Sequence, residues 1–330
     1  MDRRLKLLVL CLFLLVIAII GLGTYYRISS APEDVLLLPE GNLLLYGDLQ
    51  PIHLLDHDNA KAGRPDPDRL NPEYRAFVEQ TGIQFERDLG SIAISQRFPQ
   101  AEVNTESSAI FTGTFDSTRL RNYLQKISAT SESYADKTVF SIPHEGNIVR
   151  AAILDARTVA ITNMESGEPL RGIIDKFRNP SLAGHGPYLL QTYHRHVPAA
   201  SLAWLIYRAP PHSGPVNLLG GASVGFLENT VSVASVRYSG ALAVKAEVFT
   251  LDESSAKNLA ESAGTFLALY RTAGGSTRHT GADQDVKAAI DSIEIQQKGN
   301  SAVFTATVSQ GFLRKVVPEV QSATGAGHQP

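Results

Sequence analysis

After an uninterrupted apolar start, hydrophobic positions along this chain recur at two spacings. The opening, MDRRLKLLVLCLFLLVIAIIGLG (1–23), has no charged residue between Leu7 and Gly23. Carried as a helix through Tyr26, it reaches about 30 Å, the thickness of a bilayer's hydrocarbon core. Tyr25 and Tyr26 suit the far headgroup layer, and Arg3, Arg4 and Lys6 mark the near side as cytoplasmic. The pattern predicts a cytoplasmic stub (1–6), a transmembrane helix (7–26) and an exported remainder. A cleaved signal is the competing reading, because Ser29-Ser30-Ala31 offers small residues at a peptidase site. Against it, the run exceeds the roughly 7–15 residues of a signal core, and Arg27 separates it from the cut. Either reading exports the rest of the chain.

A spacer is expected over 27–42, and beyond it a mixture of period-two runs and helical stripes. Strands are predicted at NLLLYGDL (42–49), GSIAISQ (90–96), SSAIFTGTF (107–115), TVFSIP (138–143), VRAAILD (149–155) and TVAITN (158–163). Between them, Asn71 and Pro72 open a helix with Tyr74, Phe77 and Val78 on one side, closed by Gly82. Asp116 caps a second helix with a Leu120, Tyr123, Leu124, Ile127 stripe. Leu170, Ile173, Ile174 and Phe177 mark a third, which ends before Pro180. A connecting segment is expected over 181–200. The order then recurs: strands SLAWLIYR (201–208), TVSVASVRY (230–238) and GALAVKAEVF (240–249), and a helix capped by Asp252. That helix is predicted to turn Leu259, Ala263, Phe266, Leu267 and Tyr270 inward. A hairpin at 292–309 turns at Lys298-Gly299-Asn300, and a final helix places Leu313, Val316, Val317 and Val320 inward.

These elements predict an α+β fold of largely antiparallel sheets with helices packed on one face. The recurrence suggests two tandemly duplicated halves, 43–180 and 201–322, with a disordered tail at 323–330. Coincidental alternation is the competing account, since the two halves share little residue identity.

Composition narrows the function classes. Apolar residues make up 43% of the chain, ordinary for a globular protein. The formal net charge is −3 with no basic block, so a nucleic-acid partner has no electrostatic footprint. The lone Cys11 lies inside the apolar run after Leu10, which disfavours lipid attachment there. It also leaves the exported part without disulfides, thiol catalysis or thiolate zinc sites.

Candidate chemistry is sparse. PIHLLDHDNAK (51–61) groups His53, Asp56, His57 and Asp58, ligand types suited to zinc, but it lacks the HExxH glutamate and runs into a proline-rich loop. His194 and His196 in YHRHVP (193–198) point apart at helical spacing and read as surface histidines at a helix end. Ser254-Ser255-Ala256-Lys257 fits S-x-x-K without its companion motifs, and reads equally as the polar first turn of a helix. Gly220, Gly221 and Gly225 have neither the lysine nor the register of a phosphate loop. No cofactor and no catalytic residue is assigned.

An N-terminal membrane helix with repeated α+β elements behind it resembles uncharacterised membrane-anchored bacterial proteins known as domains of unknown function. RRLKLLVLCLFLLVIAIIGLG (3–23), FTGTFDSTRLRNYLQKI (111–127) and AILDARTVAITN (152–163) carry the resemblance. It implies an extracytoplasmic envelope protein and supplies no active-site residues. The leading expectation is a non-enzymatic, membrane-tethered binding or scaffold domain, periplasmic or extracellular, with an envelope partner. Two alternatives stand beside it. One is an envelope hydrolase using the His53–Asp58 cluster. The other is an apolar-ligand carrier lined by Phe111, Phe115, Phe140, Trp204 and Phe226.

Overall fold

Period-two runs rich in Val, Ile, Ala and Leu pair edge to edge through most of the chain. The computed structural model describes residues 30–50, 72–98, 105–210, 216–217, 223–224, 227–274 and 284–309. The expected stub 1–6, transmembrane helix 7–26, His53–Asp58 cluster, final helix and tail 323–330 lie outside these residues. Among the described residues no helix is long and apolar enough to cross a membrane.

The first half contains α1 (Glu33–Leu37), β1 (Leu43–Asp48), α2 (Pro72–Thr81), α3 (Phe85–Asp88), β2 (Leu89–Arg97) and β3 (Glu106–Gly113). It continues with α4 (Ser117–Ile127), β4 (Thr130–Tyr134), β5 (Lys137–His144), β6 (Asn147–Ile153), β7 (Thr158–Thr162) and α5 (Glu168–Arg178). Two short helices, α6 (Pro180–Ala183) and α7 (Tyr188–Tyr193), and a 3-10 turn (His194–His196) lead onward. Next come β8 (Ala203–Arg208), β9 (Val216–Asn217), β10 (Ser223–Val224), β11 (Val231–Tyr238) and β12 (Leu242–Phe249). The last elements among the described residues are α8 (Glu253–Gly274), α9 (Gln284–Asp291), β13 (Glu294–Lys298) and β14 (Ser301–Val308).

Twelve strands form one antiparallel sheet in the order β13-β14-β12-β11-β8-β1-β2-β3-β7-β6-β5-β4, with β9 and β10 paired separately. At its centre β1 pairs with β8, Leu43 opposite Tyr207 and Tyr46 opposite Trp204. Outward from that pair the order is β2, β3, β7, β6, β5, β4 on one side and β11, β12, β14, β13 on the other. The two expected halves therefore share a single sheet, joined through their first strands.

The sequence pattern places helices on one face only; in the first half they cover both. α1, α5 and α7 bury Val35, Ile173, Ile174, Leu189 and Leu190 against the face carrying Leu44, Ala93, Ile110 and Ile206. On the opposite face α2 and α4 bring Phe77, Leu120 and Leu124 against Phe140, Ile153 and Val159. The reason is visible in the strands. Val139 and Phe140 are adjacent and both buried, as are Ala151, Ala152 and Ile153, so these strands present apolar side chains to both faces.

Other departures have equally local causes. The stretch read as a spacer folds at its end: Val35 and Leu38 are fully buried, and the Lys176 ammonium donates to the Leu38 carbonyl at 2.8 Å. The connecting segment docks Leu189 and Leu190 into the same core. In α8, Leu259, Ala263 and Leu267 lie part-buried as expected, whereas Phe266 and Tyr270 face outward, 71% and 52% exposed. β4 and α9 have no counterpart among the predicted elements; β4, TSESY, is a polar edge strand without apolar alternation.

Candidate functional site

Alternation along β1 sends Leu44, Tyr46 and Asp48 to one face of the sheet, where Leu44 joins the core. Tyr46 and Asp48, nearer the strand's end, instead reach a cleft of about 750 Å³. The cross-strand partner of Tyr46, Trp204 on β8, forms the adjoining wall, with ring centroids 5.7 Å apart. α1 contributes Glu33 and Asp34, and the 3-10 turn contributes His194. Loop residues Val197 to Leu202 complete the rim, bent by the Ser201 hydroxyl donating to the Pro198 carbonyl at 2.6 Å. Within this loop Ala200 takes φ 58°, a left-handed conformation that its Cβ disfavours.

Electrostatics in the cleft are set by burial. Asp34 accepts a 2.6 Å hydrogen bond from the Ser91 hydroxyl, which in turn contacts Thr112 across β2 and β3. Burial raises the Asp34 carboxyl above the ordinary carboxylate range; the Ser91 bond offsets part of this, and Glu33 and Asp155 add to the rise. The Tyr46 phenol is pushed up to about 12, first by burial and then by Asp48 and Asp34. Burial lowers His194, whose ring meets Trp204 edge-on at 5.5 Å. An imidazole so placed favours its neutral form. The cleft thus combines acidic groups, a phenol that stays protonated and an indole.

The sequence candidates fare differently. His53, Asp56, His57 and Asp58 lie outside the described residues, as do Gly220, Gly221 and Gly225. Among the described residues no group of three or more His, Cys, Asp and Glu could hold a metal ion. His194 and His196 do diverge, but neither is a simple surface residue: His194 enters the cleft, whereas His196 stacks edge-on against Phe249 at 4.6 Å. His196 Nδ1 also lies 3.4 Å from Glu247, which the Lys245 ammonium approaches at 2.9 Å and the Ser301 hydroxyl at 3.0 Å. Ser254 donates to Asp252 at 2.7 Å and Lys257 turns to Glu261, so the S-x-x-K residues serve the helix cap and an exposed ion pair. Of the proposed carrier aromatics, Phe115 and Phe140 pack on the sheet face opposite Trp204, so these residues do not line one cavity.

Sequence reasoning missed Tyr46, Asp34 and Asp48 altogether. The one available signal was an aromatic residue in each half's first strand, LLLYGDL and SLAWLIYR. Only the pairing of those strands makes the two rings neighbours.

The architecture is α+β, a large antiparallel sheet with helices. No protein-family model matches the chain, and no curated protein matches it. Among solved structures, crystal form IV of TP0453 is similar with a TM-score of 0.44 and 10% identity, over 88% of this chain and 98% of that one. Crystal form III of the same protein gives 0.42 and 11%, over 88% and 99%. Likeness at this level assigns no residue a role.

Proposed function

We propose that this chain is a non-enzymatic binding protein, tethered to a membrane by residues 7–26, with its globular part on the extracytoplasmic side. The observation that supports a binding role is the cleft over the β1–β8 pair, with its buried aromatic wall and acidic groups. Its volume falls in the range of small-molecule sites, roughly 300–1,000 Å³. A membrane tether would also raise the effective concentration of a weak binder near partners in the same membrane. The corresponding order of the first four strands on either side of β1–β8 supports tandem duplication of the halves, with β5 and β4 an addition to the first and the cleft at their junction.

Blocking the cleft tests the reading. Ala199→Phe and, separately, Ser201→Phe place a ring in the cleft from its loop. Full-length wild type and both variants would be extracted from their native membrane and compared by native mass spectrometry. We expect a ligand adduct on wild type that is lost from variants whose melting is unchanged. Identical spectra for all three would overturn the cleft as the ligand seat. A C-terminal reporter enzyme active only in the cytosol would overturn the topology.

A further inference from the structure

Elsewhere among the described residues, two aromatic faces and one buried acid are supplied with cations by the chain itself. The guanidinium of Arg171 lies over Tyr134 at 5.3 Å, and that of Arg208 over Tyr188 at 5.1 Å. Glu247, the most buried of the ion-paired carboxylates, is held by Lys245 and faced by His196. At the cleft this provision stops. Two rings meet in register, Tyr46 and Trp204, beside Glu33, Asp34 and Asp48, and no lysine or arginine is among the described residues lining the cleft. Among the described residues, the charged side chains that act on Asp34 are Glu33 and Asp155, both acidic. A part-buried carboxylate beside other acids, with no lysine or arginine among the described residues of its cleft, favours a cation from outside.

We propose that the ligand of this cleft carries an organic cation, an ammonium or guanidinium group, seated between the Tyr46–Trp204 rings and the carboxyls of Asp34 and Asp48. This rests on the cleft being the ligand seat. The rings attract the cation through their negative faces, and the carboxyls supply charge and hydrogen-bond acceptors. An anionic ligand would meet three acidic residues and, among the described residues of the cleft, no lysine or arginine to balance them. A bare metal ion is a poorer match than an organic cation, because the aromatic walls offer it no ligand atoms. The group could belong to a free amine or to a lysine or arginine side chain of a protein partner.

The chain contains one tryptophan, Trp204, and it stands in the cleft wall, so its emission in the folded protein responds to the cleft. Full-length protein in mild detergent would be titrated with choline, with its uncharged isostere 3,3-dimethylbutan-1-ol, with spermidine, with tri-lysine and with acetate. Saturable emission changes are expected from the cations, with choline at least tenfold tighter than the isostere. Asp34→Asn combined with Asp48→Asn should weaken cation binding at least tenfold, its folding verified by circular dichroism and melting. Binding by choline and spermidine, or by tri-lysine alone, would each support the proposal and would identify a free amine or a protein side chain as the source. Equal binding of the isostere, a response to acetate alone, or silence toward every cation would overturn it. The native-membrane comparison of the blocked variants decides the cleft separately, so the cation assignment can fail while the ligand seat stands.

Discussion

Asp34, part-buried, and Glu247, buried, show how two acids diverge with their surroundings. Burial alone would raise Glu247, but the hydrogen bond and charge of Lys245, the Ser301 hydroxyl and His196 together hold it below the usual range. Its stabilising contribution is therefore complete above the unfolded carboxyl's pKa and is lost as pH falls through the lower folded value. Glu247→Gln should lower stability at neutral pH and flatten the acid limb of a pH-dependent denaturation series; an unchanged limb would contradict this. Asp34 behaves oppositely, because its folded pKa is raised. It destabilises the fold increasingly as pH rises from the unfolded value through the folded one. Asp34→Asn, which keeps an acceptor for Ser91, should melt higher than wild type at pH 7 and no higher at pH 3. A stabilising substitution at a cleft position is what a site held for binding rather than stability would show.

At the scale of elements, local signals and burial separate cleanly. The Asp116 carboxylate accepts from the backbone N–H groups of Thr118 and Arg119 at 3.1 and 3.0 Å, the cap its sequence position suggested. Asp116→Ala should cost about 1 kcal/mol by urea denaturation. Along α8 the same periodicity does not distinguish inward from outward residues. Ala256 is fully buried, whereas Phe266 is 71% exposed, so Phe266→Ser should change stability by no more than about 0.5 kcal/mol. A larger loss would mean that this face packs against something. Ile206, fully buried in β8, is the counterexample: Ile206→Ala should cost about 2–5 kcal/mol by the same measurement.

Across the whole molecule, the central strand pair decides how the halves behave. One buried cluster runs from Val35 and Leu154 in the first half to Trp204 and Val233 in the second. The sheet should therefore unfold as one cooperative unit, with Trp204 emission and far-ultraviolet circular dichroism reporting coincident transitions. Two separated transitions would show that β1 and β8 form a weak seam. Such a seam would also cut through the cleft, whose walls come from both sides of it.

Most strands and helices were legible in the sequence because their causes are local: alternation, stripes at helical spacing, and capping by Asp116 and Asp252. The turns at Gly240 and Gly299 were legible for the same reason, each adopting the positive φ that glycine accommodates. The short helical stretch at 188–193 is legible in YLLQTYHRHV, but its core role, like that of residues 33–38, comes only from contact with the sheet, because so short an apolar stretch does not show what it packs against. Helix placement on both faces became evident only when β5, β6 and β7 were seen packed between layers. The cleft was least legible. Asp34, Tyr46, His194 and Trp204 come from separate segments, and no spacing relates them. Near neighbours and solvent are enough to set the elements and the apolar opening segment, so these can be read from residue order. Tertiary structure alone decided that β1 lies beside β8, because strand pairing between distant segments is settled by the burial of the whole sheet, and with that pairing came the site.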